Sequence, residues 1–305
     1  MDGLLVVDKP HGLTSHDVVA RARRLLGETR IGHTGTLDPL ATGVLPLAVG
    51  RATRLVRFLT SSDKEYDATI RFGLSTDTYD ITGEETGRTN TVPSREMLLS
   101  ALTALTGTYP QVPPAFSAKK VGGRRSYELA REHRPAVLAP VTVSASAIAL
   151  LELNGERARV AIVCSAGFYV RSFAHALGEL TGTGACLEAL TRTRSGEFRL
   201  EMAISIDGLQ NRDAALARLV PMAALLRQFP AVTIGERGRA HVAHGRELNE
   251  IDYEFVAAPA GASSGRIEQG QDLGWVRVLD ASGGLVAMAT TGTRPGSLHP
   301  SVVLM

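Results

Sequence analysis

Cysteine is scarce in this chain of 305 residues, which contains only Cys164 and Cys186. Two thiols make neither the disulfide framework of a small secreted domain nor a thiolate metal site. We expect both side chains to be small buried hydrophobes in a protein of a reducing compartment.

Long apolar runs and an excess of one charge are also absent. No stretch approaches the ~20 apolar residues of a membrane span. The first residues, MDGLLVVDKP, carry an acid early and only a short apolar run, unlike a signal peptide. The sequence therefore predicts a soluble, cytoplasmic protein. Because the formal net charge is only +2, affinity for nucleic acid would have to come from local basic patches.

What the chain does contain is enough apolar sequence for a core. Hydrophobic residues make up 44% and charged residues 21%, which is typical of a folded protein. LLVVD at 4–8 and the alternating KEYDATIRFG predict strands. TSHDVVARARRLLG predicts a helix that is capped by Thr14 or Ser15 and ends at Gly27. The length suits one large domain or a large and a small one.

The stretch GHTGTLDPLATGVLPLAVG, residues 32–50, contains a single acid, Asp38. Asp-Pro can begin a helix with Asp38 as the N-cap. However, the residues that follow include Gly43 and Pro46, and proline inside a helix costs ~3 kcal/mol. VLPLAV fits better as a short buried strand in which Pro46 needs an edge or bulge position. We therefore predict that Asp38 lies in a tightly specified loop, as a candidate for chemistry.

A second candidate comes from YVRSFAHALGELTG, which predicts a helix. Its apolar stripe runs through Val170, Phe173, Ala174 and Leu177. Arg171 lies in the first turn, off this stripe. Because the helix dipole opposes a cation at that end, the placement of Arg171 needs another reason, such as an anionic partner.

Three further segments are interpreted by pattern alone. RATRLVRFL repeats the helical pattern, with arginines at spacings of three. STDTYDITG is acidic and turn-rich, lacks the calcium-loop spacing and predicts a solvated loop. GACLEALTRTRSGEFRL predicts another amphipathic segment that ends in basic residues.

Residues 112–134 form a basic segment interleaved with proline, glycine, Phe116 and Tyr127. Such a segment fits a solvated loop. The same pattern is also found in surfaces that bind single-stranded or looped RNA.

The C-terminal part of the chain has a different pattern. From about residue 208 the sequence predicts a helical connector. Beyond Phe229, short runs such as AVTI, WVRVLD and LVAMAT are separated by glycine-rich turns, among them the low-complexity APAGASSG. We predict a small all-β domain at 229–305.

Six motifs together resemble the bacterial tRNA pseudouridine synthases of the TruB family. They occur in the family's order and at similar intervals over about residues 3–200. The motifs are DKPHGLTSHDVV, RIGHTGTLDPLATGVLPLAVGRATR, DKEYDATIRFGLSTDTYDITG, PPAFSAKKVGGRRSYELAR, CSAGFYVRSFAHALG and LTRTRSGEF. The C-terminal residues resemble more loosely the family's small RNA-binding PUA domain.

The resemblance implies an α/β (α+β) fold, in which a mixed, largely antiparallel sheet is flanked by helices and a small all-β PUA-like domain is appended. The implied catalytic domain is 1–228, with an RNA-binding insertion at about 112–134. The implied PUA-like domain is 229–305.

The implied reaction isomerises the uridine at position 55 in the T-loop of tRNA, exchanging its N1–C1′ bond for a C5–C1′ bond, without a cofactor or a metal. Asp38 matches the family's nucleophile. A carboxylate can attack C1′ of the sugar or C6 of the base, or stabilise charge while a glycal forms. A second acid is not required, and the sequence offers none near Asp38.

The resemblance assigns further site residues. Arg171 is expected to hold Asp38 ionised through a charge-assisted pair that can be bidentate. Tyr66 is expected to stack on the target base and is a candidate acceptor of a sugar proton, although its strand pattern also fits a core aromatic. His33 is expected to fill the stack that the flipped base vacates.

Other positions are expected to contact the RNA. Leu190 matches an apolar contact but equally fits the core, and Tyr169 belongs to the same motif as Arg171. Lys9 is expected to shape the pocket floor. Thr191 stands where the family often has arginine, so no RNA contact is assigned to it. The expected phosphate contacts are Lys119, Lys120, Arg124 and Arg125.

The implied partner is the T-stem-loop of tRNA, bound by a monomer without an obligate protein partner or a membrane. Two alternatives stay open: a synthase that depends on a guide RNA, and a tRNA-folding chaperone without catalysis. Because the chain starts directly at GLLVVDKP, we expect a stand-alone enzyme. The set of Asp38, Tyr66 and Arg171 argues against a pure binder, which needs no nucleophile.

Overall fold

A computed structural model describes residues 1–117, 119–121, 123–126, 132, 138–257 and 274–305. Within these ranges, eleven strands form one mixed sheet that ends at Pro221, and five strands from Ala231 onward form a second sheet. The predicted fold class, a large mixed sheet with helices followed by a small β unit, is confirmed. The predicted boundary at 228/229 falls between the two sheets.

The helices of the described residues are α1 (Ser15–Leu26), α2 (Val56–Leu59), α3 (Arg95–Ala104), α4 (Val170–Thr181), α5 (Arg212–Ala217) and α6 (Glu236–Ala243). The strands of the first part are β1 (Gly3–Lys9), β2 (Ile31–His33), β3 (Thr42–Val49), β4 (Lys64–Phe72), β5 (Leu74–Thr76), β6 (Glu85–Arg88), β7 (Gly107–Gln111), β8 (Lys120–Val121), β9 (Arg124–Arg125), β10 (Val141–Asn154), β11 (Arg157–Cys164), β12 (Ala185–Ser195), β13 (Phe198–Arg199), β14 (Ile204–Ser205) and β15 (Val220–Pro221). Those of the second sheet are β16 (Ala231–Ile234), β17 (Tyr253–Ala257), β18 (Val276–Asp280), β19 (Leu285–Thr291) and β20 (Leu298–Val303).

The main sheet has the order β14-β1-β3-β12-β4-β11-β10-β7. Most neighbouring strands are antiparallel, while β12 runs parallel to β3 and β14 runs parallel to β1. The parallel pair β3–β12 brings a strand from late in the chain directly beside the start of β3. This neighbour relation builds the candidate site.

Local signals account for the elements that the sequence predicted best. Thr14 caps α1 and forms a capping box with Asp17, and Gly27 ends the helix in the left-handed conformation with φ of 65°. In β4, Ala68, Ile70 and Phe72 are fully buried on one face, as their alternation predicts. Both cysteines are buried and free, as expected.

The structure specifies one of the segments interpreted by pattern and corrects another. GACLEALTRTRSGEFRL, interpreted as an amphipathic segment, mostly forms the long central strand β12, between β3 and β4. STDTYDITG is not a solvated loop, because Asp80 and Thr76 are buried within it. The segment RATRLVRFL forms a 3-10 turn, Gly50–Leu55, before the short α2.

Pro46 is neither at a sheet edge nor in a bulge, since β3 has neighbours on both sides. The Thr34 N–H donates to the Pro46 carbonyl at 3.1 Å. In an antiparallel pair, the backbone nitrogen and oxygen of one residue face the same neighbouring strand. The Pro46 nitrogen, which carries no hydrogen, therefore faces the segment just past the end of β2. The ladder with β1 therefore loses no hydrogen bond.

The two sheets share a hydrophobic cluster. Leu4, Val6 and Val44 of the first sheet pack in one cluster with Met288 and Leu304, which belong to the C-terminal part. The arginines at spacings of three reinforce the contact. Arg51 and Arg54 donate to the carbonyls of Leu304 and Val303, and Arg57 lies 4.6 Å from the ring centre of Trp275.

Because the cluster is shared, we expect Leu304→Ala to lower the free energy of unfolding by about 2–5 kcal/mol and both sheets to unfold together. The measurement is urea denaturation followed by the fluorescence of Trp275, the one tryptophan, and by far-UV circular dichroism. Ile251→Ala, at a side chain 77% exposed in the same part of the chain, is the control and should change stability by less than about 0.5 kcal/mol. Two separate transitions in the wild-type chain would contradict the shared core.

Candidate active site

Asp38 lies in an irregular loop between β2 and β3, as predicted. Its carbonyl accepts a hydrogen bond from the Ala41 N–H at 3.0 Å, which closes a turn around Pro39 and Leu40. The Asp38 side chain is 43% exposed. The loop thus presents one carboxylate to the outside while its neighbours Leu37 and Ala41 are buried.

The loop is braced from the N-terminal part of the chain. The Ser15 hydroxyl bonds both the N–H and the carbonyl of Leu37, at 2.8 and 3.0 Å. The Lys9 ammonium is fully buried and donates to the carbonyls of Ala41 at 2.6 Å and Pro39 at 3.4 Å. Lys9 therefore lies under the loop, which fits the expected role in shaping the pocket floor and not a direct contact from the surface.

Arg192 braces the loop from β12. This side chain is fully buried, and its guanidinium donates to the carbonyls of Val44 at 2.7 Å and Gly35 at 3.0 Å. Val44 and Gly35 lie on opposite sides of Asp38 in the sequence, so one guanidinium holds the two ends of the loop together. Burial of a charge is costly unless its donors are satisfied, and the carbonyls supply those acceptors.

Close packing of backbone against backbone makes this arrangement possible. Gly43 has φ of +94°, and a Cβ there would collide with the Arg192 carbonyl oxygen. Only glycine adopts this conformation without strain and leaves room for β12. Residue 43 pairs with Arg192 in the parallel register of β3 and β12.

Arg171 reaches Asp38 from the first turn of α4. Its Nε lies 2.9 Å from Asp38 Oδ2, and the predicted anionic partner is confirmed. The pair is not bidentate, because Nη1 and Nη2 donate to the carbonyls of Thr78 and Phe116 at 3.2 and 2.9 Å. The Nε–H is not aligned with the carboxylate, so the contact is an ion pair and not a directed hydrogen bond.

Asp80 supplies a second carboxylate that the sequence reading missed. Its Oδ2 lies 3.7 Å from Arg171 Nη1, and both side chains are 7% exposed. Asp80 Oδ1 accepts from the Thr82 N–H at 3.0 Å and from the Thr82 hydroxyl at 2.6 Å. The expectation that no second acid stands near Asp38 is therefore corrected, since the two carboxylates share one guanidinium.

Two tyrosines are close enough to this centre for its charges to affect their pKa values. Tyr66 is partly buried on β4, opposite Arg192 in the register. Burial raises the pKa of the Tyr66 phenol, and the Arg192 guanidinium opposes this rise. Burial also raises the pKa of Tyr169, opposed by Ser117 and the Arg171 guanidinium. Gln111 fixes the backbone of Tyr169 with two hydrogen bonds, at 2.8 and 3.1 Å.

His33 ends β2, at the start of the loop. The ring is partly buried and its Nδ1 has no hydrogen-bond partner. Burial, followed by the charges of His16 and Arg192, lowers the pKa of His33. The imidazole is therefore neutral at neutral pH.

The other residues predicted to contact RNA lie in the core, at the surface or outside the described residues. Leu190 is buried and belongs to the main core cluster. Thr191, to which no RNA contact was assigned, bonds the Thr42 hydroxyl at 2.9 Å. Lys119 is exposed. The side chains of Lys120, Arg124 and Arg125 lie outside the described residues, although their backbones form the hairpin β8–β9. Much of 112–134 and the stretch APAGASSG also lie outside the described residues.

Arg192 and Asp80 were missed because the sequence signals at both positions are weak. Arg192 stands among other basic residues that read as an ordinary charged segment. Asp80 sits in a threonine-rich turn, where the hydroxyls of Thr78 and Thr82 are the signal that could have shown a bonded carboxylate.

The described part of the chain contains neither a cluster of metal ligands nor a membrane-spanning helix. No group of three or more His, Cys, Asp or Glu side chains there is arranged to hold a metal ion. No helix there is long and apolar enough to cross a membrane.

Comparison with known proteins identifies close relatives. Residues 23–170 match the N-terminal domain of the TruB family of pseudouridylate synthases. The chain is 42% identical to tRNA pseudouridine synthase B of Solibacter usitatus, with 100% of both chains covered. It is 47% identical to the protein of the same name from Symbiobacterium thermophilum, over 80% of this chain and 82% of that one.

A solved structure of an archaeal box H/ACA sRNP Nop10-Cbf5 complex contains a similar fold. The TM-score is 0.71 at 26% sequence identity, over 99% of this chain and 86% of the other. The similarity therefore extends across both sheets.

Gly43→Ala should lower the free energy of unfolding by more than about 2 kcal/mol, because a side chain is disfavoured at this φ and collides with Arg192. Gly32→Ala is the matched control in the same segment, since a Cβ there meets nothing within 4 Å, and we expect a change below about 0.5 kcal/mol. Urea denaturation measures both. Equal losses in the two variants would show that Arg192 and Gly43 are not closely packed.

Lys9 should make stability depend on pH in a distinctive way. Burial lowers its pKa from 10.5 to about 8, so between these values the unfolded chain binds more protons than the native one. The stability difference between wild type and Lys9→Met should therefore increase in favour of wild type as the pH rises across this interval, by up to about 3 kcal/mol.

Denaturant unfolding of wild type and Lys9→Met at several pH values across this interval measures the effect. Lys119→Met, at an exposed lysine, is the control and should follow the wild-type profile. A wild-type advantage over Lys9→Met that stays constant with pH would contradict the assignment of the shift to Lys9.

Proposed function

Because the chain belongs to the TruB family of pseudouridine synthases, we propose that this tRNA-modifying enzyme isomerises the uridine at position 55 in the T-loop of tRNA to pseudouridine. The observation that carries the proposal is the pair of Asp38 and Arg171. Asp38 is the exposed carboxylate of a braced loop, and Arg171 is a buried guanidinium 2.9 Å from it. A carboxylate placed in this way faces the substrate with a cation at its side, the arrangement that suits a nucleophile.

In the proposed reaction the N1–C1′ bond of the uridine breaks and a C5–C1′ bond forms. The hydrogen on C5 leaves as a proton, and N1 gains a proton, so atoms balance without an oxidant or reductant. Asp38 serves this exchange by attack on C1′ of the sugar, by attack on C6 of the base, or by stabilising charge while a glycal forms. Each route requires a single ionised carboxylate at the centre.

The target uridine must leave the folded loop of the RNA before reaction, at a cost of a few kcal/mol. We propose that the neutral imidazole of His33, at the rim of the Asp38 loop, fills the vacated stack. An uncharged ring suits this role because it stacks on bases without the desolvation cost of a charge.

Tyr66 is proposed to stack on the flipped base. Its raised pKa favours this role over that of a proton acceptor, because less of the phenolate that would accept the proton is present at neutral pH. Tyr169, held by Gln111 at the start of α4, is proposed to line the same pocket.

The grip on tRNA is proposed to come from the basic segment 112–134, with Lys119, Lys120, Arg124 and Arg125 at the phosphates. The second sheet, 231–303, is proposed to act as a PUA-like RNA-binding unit. A secondary role in folding tRNA fits the same contacts, because binding of the folded T-arm stabilises it.

We propose a monomer that works in the cytoplasm without a guide RNA. The similar fold in the H/ACA complex fits the alternative of guide-RNA dependence. However, the curated relatives that are 42% and 47% identical to this chain are named as tRNA enzymes, which favours direct action on tRNA.

Asp38→Asn tests the proposal directly. With a T-stem-loop tritiated at C5 of its uridines, the wild-type enzyme alone should release tritium in stoichiometric amount, and Asp38→Asn should slow release more than about a thousandfold while its Kd for the RNA stays the same. Mass mapping should locate the product at position 55.

Asp213→Asn, an exposed carboxylate in α5, is the control and should retain wild-type turnover. Release by Asp38→Asn at the wild-type rate would remove Asp38 from the centre. Tight binding without release by the wild-type enzyme would favour the alternatives, a guide-dependent enzyme or a chaperone.

A further inference from the structure

Tyr79 has an unusual backbone conformation beside the candidate site. Its φ is +62°, a left-handed value that side chains other than glycine rarely adopt. Among the described residues only Leu226 shares this feature without being glycine. Strained positions of this kind persist only where the surroundings fix them, and they are frequent at active sites.

Contacts on both the backbone and the ring hold Tyr79. Its carbonyl accepts from the Leu187 N–H at 2.9 Å, and its N–H donates to the Thr76 carbonyl at 3.3 Å. The ring stacks on His175 with centroids 4.0 Å apart and planes 4° from parallel. Offset or parallel stacking over this distance restricts both rings.

The residues on either side of Tyr79 both face Arg171. The Thr78 carbonyl accepts from Arg171 Nη1 at 3.2 Å, and Asp80 Oδ2 lies 3.7 Å from the same nitrogen. His175 follows Arg171 by four residues on α4, so the two side chains lie on one face of the helix, one turn apart. The loop that contains Thr78, Tyr79 and Asp80 therefore contacts α4 on two successive turns. Thr78 and Asp80 contact one turn through polar groups, and Tyr79 contacts the next through its stacked ring.

We propose that Tyr79 and His175 are positioning residues for the pseudouridine synthase reaction. Their stack docks the loop on α4 so that Thr78 and Asp80 occupy Nη1 of Arg171 and leave its Nε toward Asp38. The inference rests on the proposed catalytic pairing of Asp38 and Arg171. Neither Tyr79 nor His175 needs to touch the RNA in this role.

The left-handed turn is part of the arrangement. A β-region residue at 79 would turn the Thr78 carbonyl or the Asp80 carboxylate away from Arg171, because the two flanking groups converge on one nitrogen. The stack with His175 and the bonds to Leu187 and Thr76 offset the strain.

The test is the separation of kcat from Kd in the tritium-release assay with the full chain. His175→Leu removes the flat ring at similar volume, and Tyr79→Gly removes the other ring while it keeps the left-handed backbone. Each should lower kcat between about tenfold and a hundredfold, since small misplacements of catalytic groups have such effects. The Kd for a T-stem-loop should stay within about twofold of wild type, because binding contacts are untouched.

His175→Phe and Tyr79→Phe each keep a flat ring and should therefore retain a kcat near the wild-type value. Leu180→Ala, at an exposed side chain of the same helix, is the matched control and should have no effect. A wild-type kcat in both His175→Leu and Tyr79→Gly would overturn the proposal. A kcat as low in both phenylalanine variants as in His175→Leu and Tyr79→Gly would overturn the proposal as well.

A double-mutant cycle with Asp80→Asn shows whether the stack acts through Arg171. If it does, the combined loss in His175→Leu with Asp80→Asn is smaller than the product of the single losses. Multiplicative losses would overturn the proposal. Asp38→Asn in the same assay distinguishes failure of the proposed function from failure of the positioning role. Turnover by Asp38→Asn contradicts the proposed function. Loss of turnover in Asp38→Asn together with a wild-type kcat in His175→Leu contradicts only the positioning role.

Discussion

The structure of the site depends on buried cations that bind backbone carbonyls. The loop that carries Asp38 has no regular hydrogen-bond ladder, so its buried carbonyls need donors from elsewhere. Arg192 supplies donors to Gly35 and Val44, and Lys9 supplies them to Pro39 and Ala41. Buried charges are expensive in free energy, but a charged donor forms stronger hydrogen bonds than a neutral one. The result is a braced loop that presents one exposed carboxylate, Asp38, beside Arg171.

The same cations set the electrostatics of the centre. Lys9, Arg171 and Arg192 place positive charge around Asp38, and Asp80 offsets part of it through Arg171. Positive charge at this centre suits a polyanionic substrate, although the chain as a whole carries a formal charge of only +2. Local placement, and not the total charge, creates the attraction.

The second sheet is part of the same packed body in the described residues. Leu304 and Met288 share a cluster with Val6 and Val44, and Val44 also binds Arg192. Residues that hold the site and residues that join the sheets therefore lie on the same strand, β3. A substitution in the cluster that joins the two sheets would therefore affect the position of the Asp38 loop through β3.

Several features could be predicted from the sequence because they depend on neighbours close in the chain. The start of α1 follows from its capping residues, and β4 follows from the alternation of apolar side chains. The loop around Asp38 follows from the positions of glycine and proline. The anionic partner of Arg171 was also predictable, since the helix dipole opposes a cation in the first turn. The resemblance of six ordered motifs then supplied the family.

Only the tertiary structure decided the rest. Whether Arg192 is solvated or buried depends on the parallel pairing of β12 with β3, which joins segments about 150 residues apart. The burial of Asp80 depends on α4 presenting Arg171 to its loop. The stack of Tyr79 on His175 depends on that same contact. Burial of charge is set by which elements become neighbours in space, and short-range sequence patterns do not contain that information.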